Sequence, residues 1–471
     1  MSRWIAGVCV VILAGAGLAI VKVQALGSAG DSWLIILWLS WIAAVVWTLT
    51  RPSFSILFAA VMAAMLLFVI VPATDAQLFG LTTIAGNNYS GGIVRALEIA
   101  TLAQCGMLAG AIVARTFWPV PGLVTLSPQL SPSRLDRAAR WSVCVGVLAV
   151  IALSALGGAS LRNFFVYTTA NGYGTFARET TGYLGYTVAL QSVAGLALVL
   201  LPLRWGCGGS SRWPGVLFAS VATFVLLGGG QRGRFFAVAL AACLVYLKTS
   251  TRSRAPRRLV VVGVLVLVVF GGLVGVARGA ADSRQITVRT VVTASIGSGN
   301  DLFLPLAGLA STVPSQIPYL GGTSYVEAAV FLAPRGLWTS KPEGAIVQVT
   351  AVMDPGNSGL AFPEFGEMYA NFGLPGVMIG SLLLGALIEL ISRRFARATT
   401  LQEAVFAAVC GAVLLDIFTR GAVAPMITSF AGLLAVTAVV CRRRSRVLAE
   451  TPSPVLSRSP GTGKSRHSVT P

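Results

Sequence analysis

The chain has 471 residues, of which 55% are hydrophobic and only 11% charged, with a mean hydropathy of +0.80. That balance excludes a soluble globular domain and reads as an all-α polytopic membrane protein. The net charge of +19 invites a nucleic-acid reading, but the positions of the cations answer it. With the N-terminus inside, most of them, including Arg51, Arg115, Arg137, Arg204, Lys248, Arg257 and Arg393, fall in cytoplasmic segments, so the basicity reports topology and no nucleic-acid partner is expected.

Taken in order, the sequence contains about twelve apolar runs near the length of a bilayer-spanning helix. They are 4–25, 33–49, 54–71, 96–117, 141–156, 183–203, 213–227, 235–247, 258–277, 374–392, 404–418 and 422–441. Alternation from a cytoplasmic N-terminus places both termini inside. The first run has the layout of a signal peptide, with Arg3 before an apolar core, and is expected to remain as an uncleaved helix. The seven cysteines are single and without a CxxC, so neither a disulfide framework nor a zinc site is implied.

Residues 72–95 are polar and rich in Gly and Asn, and are expected to form an external loop; Arg95 and Glu98 are spaced to pair at its end. The segment 157–182 carries Tyr167, Tyr173 and Arg178, which suit either a sugar site or an ordinary interfacial belt. Gly228-Gly-Gly-Gln-Arg-Gly-Arg234 follows at an external helix end. It presents Arg232 and Arg234 on the outer side, against the usual charge bias, where they suit a lipid phosphate, a pyrophosphate or simple headgroup contact.

A long external segment, 278–373, precedes the last three runs and is where function is expected. Residues 297–322 read as a Gly/Pro/Ser loop and 324–333 as a helix, followed by Arg335, Trp338 and Lys341. Asp354 leads into Pro363-Glu-Phe-Gly-Glu-Met-Tyr-Ala-Asn-Phe-Gly-Leu-Pro375. Pro363 suits a helix start, and Gly373 with Pro375 suits its end. Helical spacing puts Glu364, Glu367 and Asn371 on one face and Phe365, Tyr369 and Phe372 on the other. Such a helix either works chemically or is a solvated pre-membrane helix. Further on, Glu389 and Arg393 read as a solvated i,i+4 pair at the cytoplasmic end; Asp416 and Arg420 share that spacing at the external end, where Arg420 falls at the depth of Arg232 and Glu367 and suits a functional as well as a structural role. The domain division is therefore helices over 1–277, external loop over 278–373, helices over 374–441 and a disordered cytoplasmic tail over 442–471.

Several outer cations beside one or two acids suit transfer from a phosphate-linked donor, with arginines on the departing pyrophosphate and a carboxylate taking the proton. The sequence has no Asp-x-Asp, no His/Cys cluster and no P-loop, so no metal and no cofactor are expected.

The Gly-Gly-Gln-Arg-Gly-Arg turn, the Pro-Arg-Gly-Leu-Trp-Thr-Ser-Lys-Pro stretch and Gly-Glu-Met-Tyr-Ala-Asn-Phe-Gly-Leu-Pro-Gly, with the helix layout, resemble the Wzy-type O-antigen and capsule repeat-unit polymerases. The likeness covers mainly residues 228–391. It implies a glycosyltransferase of the C-superfamily type in the bacterial plasma membrane, joining undecaprenyl-pyrophosphate-linked oligosaccharide units on the outer face without metal. A chain-length regulator and a flippase would be its partners, beside the membrane lipids. By this resemblance Arg232 and Arg335 are catalytic with Glu367, whose part as the base is inferred. Arg234, Lys341, Glu364, Arg420, Tyr369 and Trp338 are expected to bind substrate. The related O-antigen ligases rely on an external histidine, whereas the single histidine here, His467, lies in the tail. A lipid-linked sugar flippase or exporter is the alternative from another class.

Overall fold

The computed structural model describes residues 29–50, 55–84, 87–117, 132–156, 189–206, 213–227, 232–249, 302–330, 338, 344–353, 361–421 and 423–441. The apolar runs at 4–25 and 258–277, the segment 157–182, and Arg335, Lys341 and Asp354 lie outside the described residues, as does the tail from 442.

Apart from a two-residue strand pair, Thr83–Ile84 against Asn87–Asn88, the described chain is all helical. We number the helices α1 (Ala29–Thr50), α2 (Ile56–Met65), α3 (Val71–Phe79), α4 (Ile93–Phe117), α5 (Pro132–Leu156), α6 (Gly195–Gly206) and α7 (Trp213–Leu227). There follow α8 (Arg232–Thr249), α9 (Phe303–Thr312), α10 (Thr323–Ala329), α11 (Ala345–Met353), α12 (Glu364–Arg397), α13 (Leu401–Arg420) and α14 (Val423–Cys441). The protein is a multi-pass membrane protein, but the expectation of about twelve spans of the C-superfamily type is not met. Among the described residues, five helical stretches are long and apolar enough to cross a membrane: Ala29–Thr50, Ile56–Phe79, Ser90–Phe117, Glu364–Arg397 and Leu401–Arg420. The apolar runs at 213–227 and 235–247 fall short because a crossing needs about 20 residues. α9 departs from expectation in the other direction. Its ten residues stand where a Gly/Pro/Ser loop was expected, and Phe303, Leu306 and Leu309 are fully buried.

The connection from α2 to α3 is continuous through a π-helical turn, Leu66–Ile70. Pro72 has no N–H to give to the carbonyl four residues back, and that carbonyl, on Phe68, accepts from the Leu302 N–H at 3.0 Å. The freed acceptor thereby anchors the entrance to α9.

The most extensive helix pairing is between α4 and α12. Gly106 and Gly110 lie one turn apart on α4, and Gly385 faces them from α12. A Cβ on Gly110 would collide with the Leu382 carbonyl, and one on Gly385 with the Met107 carbonyl. Backbones this close are the small-residue packing typical of helices in lipid.

At one end of this pair lies an ion cluster. Arg393 Nε is 2.9 Å from Glu389 Oε1, Arg115 Nη1 is 3.6 Å from the same oxygen, and Arg393 Nη1 donates to the Ala114 carbonyl at 3.1 Å. Glu389 and Arg393 are 1% and 4% exposed, so the pair is buried between helices and not solvated as its spacing alone suggested.

Candidate functional site

The site is built around the first turns of α12. Pro363 is extended (φ −66°, ψ 161°) and starts the helix, which puts Glu364 and Glu367 in its first turn, where the helix dipole favours negative charge. Gly373, at φ 64° and ψ −157°, interrupts the helix, and Pro375 lies in the turn that restarts it. Only glycine adopts such a backbone at low cost. The break leaves carbonyls without helical partners, Pro375 in particular having no N–H for Asn371. A turn from the preceding segment takes them up: Leu320 N–H donates to the Ala370 carbonyl at 2.9 Å and Gly321 N–H to that of Asn371 at 3.1 Å.

The Asn371 side chain completes the clip. Its amide donates to Ser324 Oγ and to the Glu367 carbonyl, both at 2.8 Å, and its oxygen accepts from the Gly322 N–H at 3.0 Å. The turn is thus fixed to α12, and the short helix α10 that follows delivers Tyr325. The Tyr325 hydroxyl donates to Glu364 Oε1 at 3.1 Å, and its ring stacks on Phe372 with centroids 6.2 Å apart. Burial holds this hydroxyl well above the ordinary tyrosine range, and the carboxylates of Glu364 and Glu367 push it the same way. Tyr325 is therefore a neutral hydrogen-bond donor.

Glu364 and Glu367 are 3% and 1% exposed. The helix is accordingly not a solvated one: the polar face with Asn371 is buried along with Phe365 and Tyr369, and of the aromatic face only Phe372 is exposed. The two acids are held differently. Glu367 Oε2 accepts from the Val423 N–H at 2.9 Å, where the chain turns from α13 into α14 through Gly421, itself at φ 56°. Glu364 Oε2 is buried and has no hydrogen-bond partner among the described residues. The residue lines a cavity of about 650 Å³ together with Tyr325 and Phe372, the rest of the wall being apolar side chains of α12 and α13 and Val423 of α14. A carboxyl group in a cavity wall, next to a neutral phenol and with hydrogen-bonding capacity unused, can accept a proton from a hydroxyl brought there.

The residues singled out in the sequence are distributed as follows. Glu364 and Glu367 come together. Arg420 lies in the same α13–α14 corner, half exposed, with Nε 3.5 Å from Asp416 Oδ1. Tyr369 turns away from the cavity: its hydroxyl donates to the Val313 carbonyl at 3.2 Å and its ring meets Tyr319 edge-on. It braces the end of α9. Trp338 is exposed. Arg232 and Arg234 open α8, with side chains outside the description, and Arg335 and Lys341 lie outside the described residues altogether. Sequence reasoning missed Tyr325 and Ser324, whose signal, the Gly321-Gly322 turn just ahead of them, marks a bend but not what it meets.

No protein-family model matches the chain, and no curated protein or solved structure matches it.

Proposed function

We propose that the protein polymerises polyprenyl-pyrophosphate-linked oligosaccharide repeat units at the outer face of a bacterial plasma membrane, with both termini cytoplasmic. The observation that carries this reading is Glu364, which lines an apolar cavity beside a pair of membrane-spanning helices and has one buried carboxyl oxygen without a hydrogen-bond partner among the described residues. A proton acceptor beside room for a lipid is what transfer between lipid-linked sugars needs.

In the transfer, the acceptor hydroxyl oxygen bonds to the anomeric carbon of the donor sugar while the bond from that carbon to the pyrophosphate oxygen breaks. The polyprenyl pyrophosphate leaves with the electron pair, and the hydroxyl proton passes to Glu364. Glu364 takes the part of base because it borders the cavity, whereas one oxygen of Glu367 is engaged by the Val423 N–H. Glu367 then holds the α13–α14 corner against α12. Arg420, with Arg232, Arg234 and Arg335, supplies the positive charge for the departing pyrophosphate.

The test is to incubate the purified protein in detergent and chelator with a pyrophosphate-linked oligosaccharide lipid and to resolve the products on a gel. A ladder rising in whole repeat units is expected. Unchanged substrate overturns the reading, and if that substrate crosses the bilayer of protein-containing vesicles, the flippase takes its place.

A further inference from the structure

The cavity does not stop at Glu364. It continues along the membrane-spanning part of α12, where Ile379, Leu383 and Leu387 recur every four residues on one face, opposite Leu414 and Ile417 of α13. Ile379, Leu383 and Leu387 are 64%, 61% and 44% exposed. From Gly376 to Leu387 the helix rises roughly 16 Å at about 1.5 Å per residue. That is about half of a hydrocarbon core of ~30 Å. An occupant therefore has an apolar chain reaching towards the bilayer centre and a polar head at Glu364 and Tyr325. One turn beyond the lining residue Ile417 on α13 comes Arg420, partly exposed and 3.5 Å from Asp416.

Two lipid-linked molecules meet at the acid in the transfer described above, and only one of them fits this layout. In the donor, the carbon that reacts is one pyrophosphate away from the lipid tail. In the acceptor, the hydroxyl that reacts is separated from its tail by the repeat unit. A tail running directly beneath the base therefore belongs to the molecule whose sugar–phosphate bond breaks. We propose that the cavity of α12 and α13 holds the isoprenoid tail of the donor, the lipid carrying the growing chain, with its pyrophosphate beside Arg420, and that the tail of the acceptor lies outside it. This assignment rests on the polymerase reading.

The experiment uses the full chain in lipid nanodiscs and varies the two tails separately. Donor and acceptor are each supplied with a full polyprenyl tail or one shortened to a single isoprene, and KM is measured for each with Ile379→Trp, Leu383→Trp and, as a control on the exposed face of α5, Leu148→Trp. A donor with a photoreactive group in mid-tail is cross-linked in parallel and the adducts are mapped by mass spectrometry. Shortening the donor tail is expected to raise the donor KM about tenfold or more with little change in kcat, the signature of lost uniform binding. Either cavity variant raises the donor KM similarly and removes the preference for the long tail, while acceptor KM and the control stay within about twofold. Adducts fall between Ile379 and Leu387 and on Leu414. The tail-length comparison on the unaltered protein decides the matter even if a tryptophan variant fails to fold. A ladder that forms normally while the acceptor KM responds to tail length, or while adducts lie elsewhere, overturns the donor assignment and leaves the polymerase standing. No ladder from the unaltered protein with full-length tails overturns both.

Discussion

Leaving a buried polar atom without a partner costs about 1–3 kcal/mol, and Glu364 carries such an atom beside a cavity. Glu389 Oε2 is likewise buried without a hydrogen-bond partner inside the ion cluster, so what sets Glu364 apart is its place in the cavity wall. Glu364→Gln keeps the volume and can still accept from Tyr325, yet it cannot take up a proton. It is expected to insert and fold normally and to slow chain growth by about 10²–10⁴-fold, read as loss of the ladder; undiminished ladder from this variant removes Glu364 from the mechanism. Glu367→Ala has a different signature, because it strips the acceptor from the Val423 N–H. Its main effect is a stability loss of about 1–3 kcal/mol, seen by thermal unfolding in detergent. Tyr325 gives a pH test. Its hydroxyl is held protonated in the folded protein, while an unfolded tyrosine ionises near pH 10. Above that pH the unfolded chain binds fewer protons than the folded one, so stability falls as pH rises. Tyr325→Phe deletes this contribution. The unfolding temperature of the variant is expected to decline less between about pH 9 and 11 than that of the parent.

At the scale of elements, the break at Gly373 sets the geometry of the acid site, since it frees the carbonyls that take up the Leu320–Gly321 turn and so delivers Tyr325. Gly373→Ala forces a side chain into φ 64°, ψ −157°, with Tyr319 close by. A cost of about 1–3 kcal/mol is expected, together with loss of activity in the fraction that remains folded. The check is to compare unfolding temperature with ladder formation for Gly373→Ala and for Leu148→Trp. This break was legible in the sequence because it is local chemistry: Gly373 and Pro375 cannot continue a helix, whatever surrounds them. The clustering of scarce acids at Glu364 and Glu367 was legible for the same reason. What those acids touch was not. Tyr325 lies 39 positions upstream of Glu364, and nothing in helical periodicity links the two. The number of spans was misread because an apolar run can be too short to cross, as at 213–227 and 235–247; α9 was misread the other way, as a loop, because its Pro305, Gly308 and Ser311 are loop residues by composition alone. The Glu389–Arg393 pair was misread likewise, because i,i+4 spacing carries no information on burial and the helix that buries it, α4, is remote in sequence.

Across the whole molecule, α12 joins two buried polar sites of opposite purpose. Its first turn presents Glu364 to a cavity, and its last part is locked to α4 by the ion cluster. In the lock one acid is shared by two cations: Glu389 Oε1 is 2.9 Å from Arg393 Nε and 3.6 Å from Arg115 Nη1, and Arg115 also lies over the Trp47 ring at 5.8 Å. Removing one partner of a buried ion pair is far worse than never having built it, because a charge is left behind in a poor solvent. The two partners are not equivalent here. Arg393→Leu leaves Glu389 still facing Arg115, so one pairing survives. Glu389→Leu removes the carboxylate that both cations reach. The acid variant is therefore expected to lose the more stability, about 3–5 kcal/mol, and the arginine variant clearly less. Thermal unfolding in a single detergent orders them, and equal losses would show that the shared acid is not what holds the cluster. The cluster and the acid site lie at opposite ends of a 34-residue helix. Chain growth per folded molecule is thus expected to be unchanged in both variants, which separates a lock that keeps α12 in place from residues that take part in transfer.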